Sequence, residues 1–160
     1  MATIPILCQS GALIQLEVEL AYNELPERAI YALPHVVDWL TDTLPTIEPF
    51  MDEGRQDPVE QLDFLLYEYV RGADIAHYKT AHIMEPHDPG IYELKTADIR
   101  MFGWFNAECS FIVGNVDTAQ RCKTIGLYTG YRNNTVWRRD QLALDPPKFI
   151  VGAIEDVLCT

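Results

Sequence analysis

The sequence predicts an α+β fold: two helices packed on a small, mostly antiparallel sheet, with an N-terminal hairpin and a C-terminal helical extension. Three observations carry this expectation. Residues 91–114 hold three apolar runs divided by short polar breaks, the pattern of an antiparallel meander. Residues 57–71 repeat apolar side chains at three- and four-residue intervals behind a proline-led start, the pattern of an amphipathic helix. The chain has 160 residues, of which 48% are hydrophobic and 22% charged, enough for one domain over 1–160 with a core of its own. That composition excludes intrinsic disorder, collagen and coiled coil. No apolar run approaches the roughly 18 residues that a membrane helix needs, so the expectation is a soluble, untargeted, cytoplasmic protein with no membrane partner.

From the N-terminus, Ile4–Cys8 and the alternating run Ala12–Leu20 read as strands joined by a turn at Gln9-Ser10-Gly11, which makes the hairpin. Asn23 as cap, Pro26 in the first turn and apolar Ile30, Leu33, Val37 and Leu40 predict a helix over about Leu25–Leu40. Pro34 falls inside that span, so the helix is kinked there or divided into two shorter ones. A loop follows at Pro45, Pro49 and Gly54. Asp57-Pro58-Val59-Glu60 opens the next helix as a capping box, Leu62, Leu65, Leu66, Tyr69 and Val70 form its buried stripe, and Gly72 ends it. The segment 73–89 carries no clear period. Ile91–Lys95, Ile99–Phe105 and Cys109–Gly114 are the meander strands. Asp117-Thr118-Ala119-Gln120 repeats the capping pattern and starts a helix that Gly126 stops, and Thr135–Leu144 is a further helix closed by Pro146-Pro147.

Charge is the first functional signal. The net charge is −12, yet residues 1–94 hold 17 acids against four bases, whereas residues 95–139 hold seven bases against three acids. A free nucleic-acid binder is usually basic, so only the later segment is suited to meet phosphate. Cys8, Cys109, Cys122 and Cys159 form no CxxC pair, which excludes a zinc ribbon or thioredoxin motif and leaves free thiols in a reducing compartment as the expectation. His77, His82 and His87 repeat every five residues, and on a helix that spacing turns successive rings about 140° apart. They do not build a ligand face, so neither a metal nor another cofactor is expected. Glycine loops for phosphates, GxSxG and HExxH are all absent.

The cluster above background is Tyr92-Glu93-Leu94-Lys95, then Arg100-Met101-Phe102-Gly103-Trp104-Phe105, then Arg121, Lys123, Tyr128, Tyr131 and Arg132. Over about residues 22–125 this resembles the RelE/HigB-like toxin superfamily. In that family two helices precede an antiparallel sheet, and an aromatic-Glu-Leu-base strand leads into one that opens on arginine and carries alternating aromatics. The resemblance implies a metal-independent endoribonuclease that cleaves mRNA, or a relative that has lost catalysis, with an antitoxin as protein partner. By position it carries Lys95 and Arg100 over as catalytic candidates; Arg121, Lys123 and Tyr128 join them without a motif match of their own. The chemistry needs a general base, a general acid and cations to offset phosphate charge.

A reading of another class competes. Between Glu17 and Glu68 there are 13 acids against two bases, a field that suits an acidic phage-encoded inhibitor mimicking nucleic acid in the groove of a basic, nucleic-acid-binding defence protein. Asp52, Glu53, Asp57 and Glu60 are its candidate partner-binding residues.

Overall fold

The structure is a computed structural model that describes residues 1–50, 56–77 and 79–160. It is α+β. Its elements are α1 (Ile4–Ser10), β1 (Ile14–Gln15), β2 (Ala29–Ala32), α2 (Pro34–Asp38), α3 (Pro58–Val70), β3 (Ala81–Ile83), β4 (Tyr92–Lys95), β5 (Ile99–Ala107), β6 (Ser110–Thr118), α4 (Ala119–Ile125), α5 (Tyr128–Gln141) and α6 (Ile154–Val157). The six strands form one sheet in the order β1-β2-β6-β5-β4-β3. Every pair is antiparallel except β2 with β6, which run parallel with Ile30 opposite Phe111.

The meander forms as expected, because alternating apolar runs joined by polar turns pair with their sequence neighbours. Tyr92 lies opposite Gly103, and Met101 opposite Val116. At Gly103 the strands come so close that a Cβ would lie 2.0 Å from the Ile112 carbonyl oxygen, which only glycine permits. Helix α3 also forms as expected: Leu62, Leu65, Leu66, Tyr69 and Val70 are all buried. Asp57 precedes it but makes no side-chain cap bond; the Gln61 amide instead donates to the Gln56 carbonyl. At α4 the cap is Thr118, whose hydroxyl accepts from the Arg121 amide at 3.2 Å, and Gly126 ends the helix.

Several expectations are corrected. The N-terminal hairpin is absent: residues 4–10 are helix α1, with Pro5 in its first turn and Gly11 at φ 81° closing it in the left-handed region. Of the predicted strand over 12–20 only Ile14–Gln15 pairs, and its partner is β2. The helix expected over 25–40 begins at Pro34; residues 29–32 form β2 instead, and α2 continues through a wider π turn over Trp39–Thr43 and a tighter 3₁₀ turn over Leu44–Thr46. Pro34 is therefore a helix start, where a missing N–H costs nothing, and not a kink. Strand β3 lies within the unassigned segment, and α5 begins seven residues before the predicted Thr135. Helix α5 is also no mere extension, since it packs on β5 and β6.

The free-thiol expectation holds for Cys8 and Cys122 only. Cys109 and Cys159 form a disulfide, with Cα atoms 5.6 Å apart and 50 positions of sequence between them. That removes the argument that placed the chain in a reducing compartment. The same corner is tied by Arg28, which is buried and donates to the Leu158, Tyr69 and Ala73 carbonyls at 2.7, 3.0 and 2.9 Å. No helix among the described residues is long and apolar enough to cross a membrane.

Two stability measurements check this packing. In urea denaturation Leu65→Ala is expected to cost about 2–5 kcal/mol, because the side chain is buried. Leu25→Ala, at a position that is 75% exposed and outside any helix, should stay within about 0.5 kcal/mol. Cys159→Ser should lose about 2–4 kcal/mol by releasing the loop between Cys109 and Cys159, a loss that reductant reproduces in the unmodified protein.

Candidate functional site

Strand alternation decides which side chains share a face, and register decides which are neighbours. His82 on β3 lies opposite Glu93 on β4, and Glu93 lies opposite Phe102 on β5. One rung along, Lys95 lies opposite Arg100, and Arg100 lies opposite Asp117 on β6. Residues two apart on a strand point the same way, so Glu93 with Lys95, and Arg100 with Phe102, present both rungs on one sheet face. Helices α4 and α5 lie over the β5–β6 end of that face, where the Tyr131 ring stacks on Phe102 at 5.1 Å and Tyr128 meets it edge-on at 6.1 Å. The face stays open towards β3.

In that opening is a cleft of about 480 Å³ lined by His82, Glu93, Lys95, Arg100, Lys123 and Tyr128, with Glu85 at its edge. Four of the five catalytic candidates therefore come together. Arg100 is buried and placed by three fixed groups: it donates to the Thr96 and Ile99 carbonyls, and its Nε approaches Glu93 at 3.5 Å. The same Nε lies 3.4 Å from the Tyr128 hydroxyl. Lys123 reaches the cleft from α4.

The fifth candidate, Arg121, is elsewhere. Its Nε bonds Asp117 at 3.0 Å, its side chain is largely exposed, and it lines a separate pocket of about 310 Å³ with Trp39 and Tyr131. Asp117 is buried and also accepts from the Tyr131 hydroxyl at 2.5 Å and the Thr118 amide at 2.7 Å. These bonds make Arg121 part of a structural cluster. Of the acidic candidates, Asp57 and Glu60 are exposed at the start of α3, whereas Asp52 and Glu53 lie outside the described residues.

Glu93 and His82 are the cleft residues that the sequence did not nominate. Glu93 was legible inside the Tyr92–Lys95 strand, since alternation sets it on the face of Lys95. His82 left no local signal because its strand is only three residues long. Burial pushes the Glu93 carboxyl above the usual carboxylate range, against the pull of Arg100, Lys95 and Lys123. Burial holds the His82 imidazole below its usual range, helped by Lys95 and Arg100. The enclosure thus favours the protonated carboxyl of Glu93 and the neutral imidazole of His82. Cys122, on α4 over this face, is pushed up to about 12, by burial first and then by Asp117 and Glu93, and so stays a neutral thiol. Among the described residues no group of three or more His, Cys, Asp or Glu is placed to hold a metal ion.

Acid stability checks these environments. His35, beside Asn115 and Arg138, is held low by burial first and by Arg138 second, as His82 is by burial and its own cations. The unfolded chain takes up these protons at about pH 6.5 while the folded chain resists them, so the histidines' contribution is fully present above about pH 6.5 and lost as pH falls through the folded values. Glu93 acts in the opposite sense, contributing most at low pH and losing its contribution as pH rises through its elevated value. Combining His35→Gln and His82→Gln should therefore raise the denaturant midpoint at pH 5 relative to that at pH 7.5; an unchanged difference would assign the acid sensitivity to other groups.

Comparison with protein-family models, with curated proteins and with solved structures finds no match to this chain.

Proposed function

We propose that the cleft binds a phosphodiester and cleaves RNA without a metal ion, the activity implied by the chain's resemblance to RelE/HigB-like toxins. The observation that carries this reading is the convergence in one cleft of a carboxyl, an imidazole and three cations: Glu93, His82, Lys95, Arg100 and Lys123. Each has a part in the reaction. Glu93 takes the proton from a ribose 2′-OH as its oxygen attacks the adjacent phosphorus. His82 delivers a proton to the departing 5′ oxygen, so the P–O5′ bond breaks and a 2′,3′-cyclic phosphate and a 5′-hydroxyl remain. Lys95, Arg100 and Lys123 offset the charge that builds on the phosphate oxygens. Arg100 is already oriented by backbone carbonyls and needs little reorganisation to do so.

The strongly negative chain confines phosphate to this place. Long-range repulsion from the first 94 residues opposes approach elsewhere, while the three cleft cations outnumber Glu93 and Glu85. Binding of RNA through these contacts weakens as salt rises, because counterions compete for the same phosphates.

The test is cleavage of a short labelled RNA by the purified full chain, in EDTA, with product ends analysed. Cyclic phosphate ends are expected, with the rate greatest on the acidic side of neutrality: a rising limb set by the elevated Glu93 and a falling limb set by the depressed His82. Lys95→Ala should lower the rate about 10²–10³-fold, and Glu93→Gln about 10²–10⁴-fold. Arg121→Ala should change it little. No cleavage, or equal rates from all four proteins, would remove this function.

A further inference from the structure

A second and larger cavity, of about 900 Å³, adjoins the anion cleft. The two share Lys95 and Arg100, which line both. The larger one differs in character: Phe64 and Leu65 of α3, Ile75 and Ala97 give it apolar walls. Its charged rim is already engaged, since Arg71 is paired with Glu68 at 2.8 Å. Phe64 is the anomaly. Phe102, Phe105 and Phe111 are fully buried, yet Phe64 stands 60% exposed on the groove wall. One position away from the buried Leu65, Phe64 presents its ring to the groove that Lys95 and Arg100 also line.

We propose that this groove seats the nucleobase of the nucleotide whose phosphate lies on Lys95 and Arg100, an inference that rests on the reading of the anion cleft given above. A nucleotide is a flat apolar ring joined through one sugar to an anion, and the two cavities offer an aromatic wall and cations in that adjacency. The ring stacks on Phe64 through its π face, which every base possesses, so the groove recognises nucleotides as a class with little preference among bases. A bare inorganic anion fills only the cation end. A peptide or lipid tail would fill only the apolar end and gain nothing from Lys95.

Calorimetric titration of the full chain with inorganic phosphate, and separately with adenosine and uridine 3′-monophosphates, tests this. Both nucleotides should bind roughly 10-fold or more tightly than phosphate, the scale of a single base-stacking contact. Phe64→Ala should bring nucleotide affinity down to that of phosphate and leave phosphate affinity unchanged; the position is exposed, so the fold is retained. Phe64→Trp should preserve the excess, with indole fluorescence quenched by nucleotide and not by phosphate. Nucleotides binding no better than phosphate, or an excess that survives Phe64→Ala, overturns the groove assignment while the anion cleft stands. Phosphate that fails to bind the unmodified chain overturns the anion cleft and the groove with it.

Discussion

A single buried amide holds the candidate site together. Gln61, in the second turn of α3, donates to Asp98 Oδ2 at 2.6 Å and to the Gln56 carbonyl at 3.0 Å, and its Oε1 accepts from the Thr96 hydroxyl and the Asp98 amide at 3.0 Å each. It thereby fixes the β4–β5 turn to a helix whose own position is set by five buried apolar side chains. Lys95 ends the strand before that turn and Arg100 follows it, so both cations inherit their placement from the clamp. Thr96 closes the circuit, since its carbonyl accepts from Arg100 and its hydroxyl from the Ile99 amide. Buried polar networks of this kind are costly unless fully satisfied, and when satisfied they specify one geometry.

Desolvation then sets the chemistry. A carboxylate as buried as Glu93 stays charged only with cations around it, and a guanidinium as buried as Arg100 needs carbonyls and a carboxylate in turn. Each is the other's condition. His82 shares the enclosure opposite Glu93, and burial with Lys95 and Arg100 favours its neutral form over that of an exposed imidazole. The covering layer from α5 adds shape: Tyr131 stacks on Phe102 and Tyr128 meets it edge-on, and Asn115 beneath it bonds Asn134 at 3.0 Å and Thr135 at 2.9 Å, which closes the face on the β6 side and leaves the approach from β3.

The departures from the expected layout share one cause. Period and punctuation describe what a segment favours by itself, whereas pairing depends on what lies beside it. Residues 29–32 have apolar spacing compatible with a helix, but a vacant edge on β6 offers four rungs of parallel pairing, and Pro34 supplies a better helix start five residues later than Ala29. Residues 4–10 are apolar enough for a strand, but Pro5 suits a helix start and Gly11 closes a helix there. Cys109 and Cys159 lie 50 positions apart in sequence, and nothing near either marks the other.

By itself the sequence determined the elements whose partners are close along the chain: the β4–β5–β6 meander, α3 with its full apolar stripe, α4 with its glycine stop though with its cap one residue later, at Thr118, and the placing of Lys95 and Arg100 on adjoining strands. Hydrophobic period, turn chemistry and capping are local, so they are written locally. The tertiary structure alone decided that β2 runs parallel to β6, that Cys109 meets Cys159, that His82 stands opposite Glu93, and that Lys123 and Tyr128 join the cleft while Arg121 turns away to Asp117. Those outcomes rest on contacts between distant segments, whose register follows from how the whole core closes and not from any window of residues.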